Sequence, residues 1–254
     1  MSISVPDPTT FDAASFAAQA LSSPAALAAV LDHTLLKPDA TRTQVLAICE
    51  EAAKYKFACA MVNPFWTGTA AAALKGTGVP VGVVIGFPLG ATLTASKKEE
   101  AGRVLALGAH DVDMVLNIGL LKSGEFDAVK HDIHIVAEVV HAHGGILKVI
   151  LETCLLSFED KMRASELAIE AGADFIKTST GFSTGGATVD DIQLMRGVAG
   201  IRCGVKASGG IRSLADAQAM LFAGATRIGA SASVRIVSEL ANPTDAVGVP
   251  TGGY

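Results

Sequence analysis

The chain has 254 residues, 50% of them hydrophobic and 18% charged, with a formal net charge of −5. This excludes a disordered chain, which combines low hydrophobicity with high net charge, and it lacks the basic surplus that neutralises nucleic-acid phosphates, so no nucleic-acid partner is expected. With nine prolines against 26 glycines, collagen-like and proline-rich arrays are excluded too.

In chain order, FDAASFAAQALSS and PAALAAVL predict two short helices within a 1–29 N-terminal extension, the second with Pro24 in its first turn. The first ten residues carry no basic group ahead of an apolar core, so no secretory signal is expected. The longest apolar stretch, Val79 to Ala91, is broken by Pro80, Gly82, Gly86, Pro88 and Gly90. It falls well short of the ~20 residues of a membrane helix. No membrane partner is expected, and the cytoplasm is the expected compartment. Cys49, Cys59, Cys154 and Cys203 are scattered through apolar contexts without CxxC spacing, which predicts free buried thiols.

Beyond the extension, short Val/Ile/Leu-rich runs alternate with segments of helical spacing. Strands are predicted at 30–36, 58–63, 79–86, 111–117, 146–152, 174–179, 201–207 and 226–230. Their starts run from 30 to 226 over seven intervals, about 28 residues each, close to the ~30 of a βαβ unit. Six helices are predicted between them, at 41–56, 97–108, 125–144, 157–172, 188–200 and 213–224. Eight such units in a chain without a linker predict one α/β domain over 1–254, a (β/α)₈ TIM barrel with extra N-terminal helices and a flexible tail over 241–254. An open doubly wound sheet would call for GxGxxG after its first strand, and none is present.

Active sites of such barrels sit at the C-terminal ends of the strands. Asp32, Thr34, Asn63, Asp113, Asn117, Lys148, Glu152, Lys177 and Lys206 interrupt or follow the apolar runs. A buried charge is costly unless paired. One strand lysine could simply pair with a carboxylate, but Lys177 and Lys206 at the ends of adjacent strands make a poor stabilising device. At pH 7 only about 1 free lysine in 2500 is neutral. A second ammonium at ~6 Å with an effective dielectric of ~20 lowers the pKa by about 2 units, and desolvation can supply the rest. The pair therefore suits Schiff-base formation with a carbonyl substrate, with Asp113 moving protons. Strand parity does not say which face is the lumen.

Glycine-rich loops follow the last three strands: 181–186, 208–210 and 229–231. Glycine admits an anion to backbone N–H groups, and this end of a barrel commonly binds phosphate. GxxxxGK[ST] is absent, so no nucleotide P-loop is expected. His131, His134, His141 and His143 are a candidate zinc set by residue type, but histidines on a polar helix face are usually solvated. A Glu152–Asp113 pair for glycoside hydrolysis would leave both lysines unexplained.

The segments LDHTLLKP, VNPFW, VIGFPLGA, DVDMVLNIG, LKVILETCLL, ADFIKTSTGFSTGGAT, VKASGGIR and RIGAS occur in order from residue 31 to 231. Together they resemble the deoxyribose-phosphate aldolase family, class I aldolases on a (β/α)₈ barrel. The resemblance implies reversible cleavage of 2-deoxy-D-ribose 5-phosphate to acetaldehyde and D-glyceraldehyde 3-phosphate, with no metal and no organic cofactor. It implies Lys177 as the Schiff-base lysine, Lys206 as the lysine that tunes it and Asp113 as the proton carrier through a water. Asp32 and Thr34 would organise the site, and Gly181, Gly209, Gly210, Gly229 and Ser231 would cradle the phosphate. Tyr254, the last residue, would assist proton exchange as a C-terminal tyrosine does in some members. A homodimer is implied as well. Two positions depart from the family pattern: Met61 stands where many members carry cysteine, and Phe182 where some carry a basic residue. Other readings are a transaldolase-like or isomerase barrel acting on a phosphosugar, and a non-catalytic phosphosugar-binding protein.

Overall fold

The computed structural model describes residues 11–242. Helices α1 (Ala13–Ala20) and α2 (Pro24–Ala28) lead into β1 (Leu31–Leu35) and α3 (Arg42–Tyr55). Next come β2 (Cys59–Val62), α4 (Thr67–Leu74), β3 (Val81–Ile85), α5 (Thr94–Ala106) and β4 (Ala109–Val115). After β4 the chain forms α6 (Ile118–Lys122), α7 (Phe126–Ala142), β5 (Ile146–Ile150), α8 (Phe158–Glu170) and β6 (Phe175–Lys177). It ends with α9 (Val189–Ala199), β7 (Gly204–Ser208), α10 (Leu214–Ala223), β8 (Arg227–Ala230) and α11 (Ser233–Ala241). The strands form a closed barrel in sequence order. Every pairing is parallel, and Leu31 opposite Ile228 closes the ring.

All eight predicted strands are present, and the fold is the expected (β/α)₈ barrel. Several helices start at side-chain caps: Thr41, Ser157 and Ser213 each form a reciprocal capping box, with Gln44, Asp160 and Asp216. Such caps satisfy N–H groups that the first turn leaves open. Helices α4, α6 and α11 were not expected. The first two are short, and α4 (TGTAAAAL) has little polar contrast to reveal a face. Strand β7 begins at Gly204 rather than Ile201, because Arg202 turns back: its N–H donates to Ala199 O (2.9 Å) and its guanidinium forks Glu166. Contrary to expectation, Cys154 is exposed, whereas Cys49, Cys59 and Cys203 are buried.

The main apolar core lies between the sheet and the helix ring. A second, small cluster of Leu36, Cys59, Met61 and Val84, with Phe87 against it, fills one side of the barrel lumen. The N-terminal extension packs outside: α1 lies on α10, and α2 on α11. Its exit reaches the strand entries, where Ala58 N–H donates to Ala28 O (3.2 Å) and Ile228 N–H to Val30 O (2.9 Å). Phe11 stacks on the guanidinium of Arg196 at 4.1 Å. Arg196 itself donates to the carbonyls of Gly200, Cys203 and Gly224. Residues 1–10 of the predicted extension and 243–254 of the predicted tail lie outside the described residues. Up to Ala241 the chain is helical, in α11. No helix among the described residues is long and apolar enough to cross a membrane.

Candidate active site

Side chains alternate faces along a strand, so Asp111 and Asp113 of β4 share one face, as do Lys206 and Ser208 of β7. Register aligns Asp113 with Lys148, Lys177 with Lys206, and Lys206 with Arg227. These residues share the lumen with the apolar Cys59, Met61 and Val84, with Cys59 in register with Asp32 and Val84 with Asp113. Glycines on the late strands make the space. A Cβ at Gly229 would come within 2.5 Å of Ser208 Oγ and 3.1 Å of Lys206 Cε, and one at Gly204 would run into the Phe175 ring.

One carboxylate ties the site together. Asp113 Oδ2 accepts from Lys177 Nζ (2.9 Å) and from Lys206 Nζ (2.8 Å). The two ammonium nitrogens are therefore no more than two hydrogen-bond lengths apart. Lys206 also donates to Asp32 Oδ2 at 2.5 Å, and Arg227 holds Asp32 Oδ1 at 2.9 Å. Lys148 donates to Asp111 Oδ2 (2.5 Å) and lies 3.1 Å from Asp113 Oδ1. Four cations thus share three carboxylates. Of the three lysines, Lys177 keeps the most solvent contact, with 4% of its side chain exposed against 1% for Lys206 and none for Lys148.

The electrostatics separate the three lysines. Burial, reinforced by the Lys206 charge and opposed by Asp113, lowers the Lys177 pKa to about 8. Burial also pushes on Lys206, but Asp113 and Asp32 outweigh it and the net shift is upward. Lys148 is raised well above the usual lysine range by Asp113, Asp111 and Asp32, again against burial. Asp113 is held well below the carboxylate range because Lys148, Lys177 and Lys206 together outweigh its burial. Only Lys177 is pushed towards the neutral amine. The sequence argument gave the neighbouring ammonium the larger share of this shift; in the structure, desolvation comes first and Lys206 second.

The other expected residues are distributed around this centre. Asp32 lies inside it. Thr34, partly buried, donates to the carbonyl of Asp32 at 2.8 Å and so braces that strand. Gly181, Gly209 and Gly210 have φ of +85°, +86° and +81°, a region that excludes most side chains. The loops after β6 and β7 clasp each other: Ala187 N–H donates to Gly209 O at 3.0 Å, and a Cβ at Gly186 would overlap that carbonyl. Gly229 lies within β8, where its missing side chain admits Lys206, and Ser231 is exposed in the turn after β8. Phe182 sits edge-on to Phe87 at 5.3 Å. Tyr254 falls outside the described residues.

Sequence reasoning missed Asp111 and Arg227 and gave Lys148 no role, although all three belong to the network. The two-residue step from Asp113 to Asp111 was the available signal. His131, His134, His141 and His143 are exposed on or just after α7 and form no cluster; His141 contacts Asp174 and His143 the Val139 carbonyl. Asp32, Cys59 and Asp111 bring possible ligand atoms within 4.8 Å of one another. Their two carboxylates are already neutralised by Lys206, Arg227 and Lys148, and burial holds the Cys59 thiol well above its ordinary range. That set offers no free anion to a cation. Glu152 is committed to Thr180, so it forms no open carboxylate pair with the neutralised Asp113.

A family model described as DeoC/LacD family aldolase matches residues 26–239. Deoxyribose-phosphate aldolase of Caldanaerobacter subterraneus subsp. tengcongensis is 56% identical over 84% of this chain and 93% of its own length. That of a Geobacillus species is 54% identical over 83% and 94%. Among solved structures, the deoxyribose phosphate aldolase from Aeropyrum pernix, described as a unique tetramer, superposes with TM-score 0.85 at 34% identity and covers 94% of this chain and 100% of its own. A putative deoxyribose-phosphate aldolase from Coccidioides immitis gives TM-score 0.83 at 38% identity, covering 93% and 92%. A barrel whose lumen lowers the pKa of one buried amine, together with these similarities, places the chain in the DeoC/LacD aldolase family.

Proposed function

We propose that this enzyme is a class I aldolase that reversibly cleaves 2-deoxy-D-ribose 5-phosphate to acetaldehyde and D-glyceraldehyde 3-phosphate through a Schiff base on Lys177. The observation that carries the reading is the shared contact of Lys177 and Lys206 on Asp113, with Lys177 alone lowered to about 8. At pH 7 such a group is neutral in about one molecule in ten, against about one in 2500 for free lysine.

The chemistry follows from that amine. Neutral Lys177 attacks the C1 aldehyde of the open-chain sugar, and loss of water gives an iminium, an electron sink conjugated to C2. Removal of the C3 hydroxyl proton lets the C2–C3 bond break, with its electron pair passing into the iminium to leave an enamine and free glyceraldehyde 3-phosphate. Protonation of the enamine at C2 and hydrolysis release acetaldehyde and regenerate the amine. Asp113, touching both lysines, is the group to carry protons, through a water. Lys206, held cationic by Asp32 and Asp113, is a fixed charge that favours the neutral state of Lys177. Asp32 and Thr34 hold that arrangement. Gly181, Gly209 and Gly210, with Ser231, receive the phosphate, so binding at the remote end places C1 at the amine. Tyr254 is assigned the proton-exchange role at C2.

No cofactor enters this scheme. The enzyme would act in deoxyribonucleotide and carbohydrate catabolism in the cytoplasm. A homodimer is the expected assembly by the family resemblance. Borohydride reduction in the presence of substrate, followed by peptide mapping, should trap one adduct, on Lys177. A map without that adduct, together with activity surviving in Lys177→Leu, would sink the mechanism.

A further inference from the structure

Glu152 is a buried carboxylate that the proposed chemistry does not use. It follows β5 with φ +58° and ψ +61°, left-handed backbone that is costly for a residue with a side chain. Non-glycine residues persist there when their surroundings over-determine them, often at functional sites. Here the determinants are on both sides. Leu151 N–H and Thr153 N–H donate to the carbonyls of Lys177 and Thr178 at 2.9 and 3.0 Å, so the backbone flanking Glu152 stays laced to the β6 exit. The carboxylate, 3% exposed, then reaches along that exit. One oxygen accepts from Thr180 N–H at 3.2 Å, and the other accepts a short hydrogen bond from the Thr180 hydroxyl. That hydroxyl in turn accepts from Phe182 N–H at 3.0 Å. Next door, the Cys154 thiol lies 3.4 Å from Ser183 Oγ.

These contacts converge on four residues, Thr180 to Ser183, which begin three positions after Lys177 and include Gly181. A buried carboxylate is expensive unless its oxygens are hydrogen-bonded, and this one turns both oxygens to the N–H and hydroxyl of Thr180, with the Cys154 thiol 3.9 Å from one of them. We propose that Glu152 is a positioning residue that fixes the Thr180–Ser183 loop in its phosphate-receiving shape, and so sets affinity for the phosphorylated end of the substrate without taking part in the chemistry at Lys177. This rests on the phosphate reading of the loop given above.

The test compares deoxyribose 5-phosphate with unphosphorylated deoxyribose in wild type, Glu152→Ala and Glu152→Gln. In Glu152→Ala, KM for the phosphorylated sugar should rise about tenfold or more with kcat within about threefold, as for a loss of uniform binding. With deoxyribose, kcat/KM should stay within about twofold of wild type by the same reasoning. Inorganic phosphate, used as an inhibitor of deoxyribose cleavage, should weaken in parallel. Glu152→Gln keeps an acceptor for the Thr180 N–H and should recover part of the loss. An equal drop on both substrates, or no change on either, overturns the proposal. A wild type that does not prefer the phosphorylated sugar removes the phosphate reading and takes this proposal with it. If Glu152→Ala fails to fold, Thr180→Val breaks the same clamp from the other side: a selective rise in KM supports the role, and an unchanged KM overturns it.

Discussion

Two buried charge clusters in this molecule have opposite consequences. Between α5 and α7, Lys97 is fully buried and donates to Asp132 (2.6 Å) and to the carbonyl of Val115 (2.9 Å), while the Thr94 hydroxyl donates to the second Asp132 oxygen (2.7 Å). One cation meets one anion, and both carboxylate oxygens are occupied. In the lumen, Lys148, Lys177, Lys206 and Arg227 share Asp32, Asp111 and Asp113. Lys177 has only a part of one carboxylate, and it is the lysine whose pKa falls, to about 8. Burial with a full partner holds a lysine as part of the structure; burial with only a share of one carboxylate leaves Lys177 pushed towards the neutral amine, whereas Lys206 and Lys148, each reaching two or more carboxylates, are pushed the other way.

The comparison can be broken at four points. The largest effect is expected from Lys177→Met, which should lower turnover by at least about 10⁴-fold, as removal of a covalent nucleophile does. Its thermal midpoint should hold or rise, because the change removes the surplus buried cation; a steep fall in midpoint would show that Lys177 is structural after all. Lys97→Met should do the reverse. It strands a buried carboxylate and should cost about 3–5 kcal/mol of unfolding free energy, measured by denaturant titration, with turnover per folded molecule retained.

Lys206→Leu should reduce turnover by about 10²-fold, a typical size for loss of one positioned charge. It should also move the pH profile. In wild type, kcat/KM should climb as pH rises through about 8, where Lys177 loses its proton. Without Lys206, the repulsion disappears and Asp113 Oδ2 is left to Lys177, with Lys148 still on the other oxygen, so the limb shifts to higher pH. A limb that stayed near 8 would assign the whole shift to desolvation. The smallest effect is expected from Phe182→Lys, which adds a cation beside the proposed phosphate-receiving loop. KM for the phosphorylated sugar should fall about threefold, by a partly exposed charge-assisted contact.

Much of this was legible in the sequence. The eight strands were, since alternation of apolar runs with helical spacing survives any detail of packing. So were Lys177, Lys206 and Asp113, because charges that interrupt apolar runs need an explanation. Strand β7 started three residues late because Ile201 and Val205 look alike in a sequence, whereas the turn at Arg202 depends on Glu166 in another helix. Glu152 was visible only as a candidate acid, because its partner Thr180 lies 28 residues on and its left-handed backbone has no sequence signature outside glycine and asparagine.

By itself, the sequence determined the βα repeat and which charges interrupt its apolar runs, since both are local: periodicity and residue type are properties of neighbours in the chain. Which lysine is pushed towards the neutral amine was decided only by closing the barrel. Lys177 and Lys206 are equivalent as strand residues, and they part company when Asp32, which is 174 positions from Lys206, is brought across the ring to hold one of them and not the other. Electrostatic coupling depends on distance in space and on exclusion of water, and a linear order of residues specifies neither until the sheet has closed.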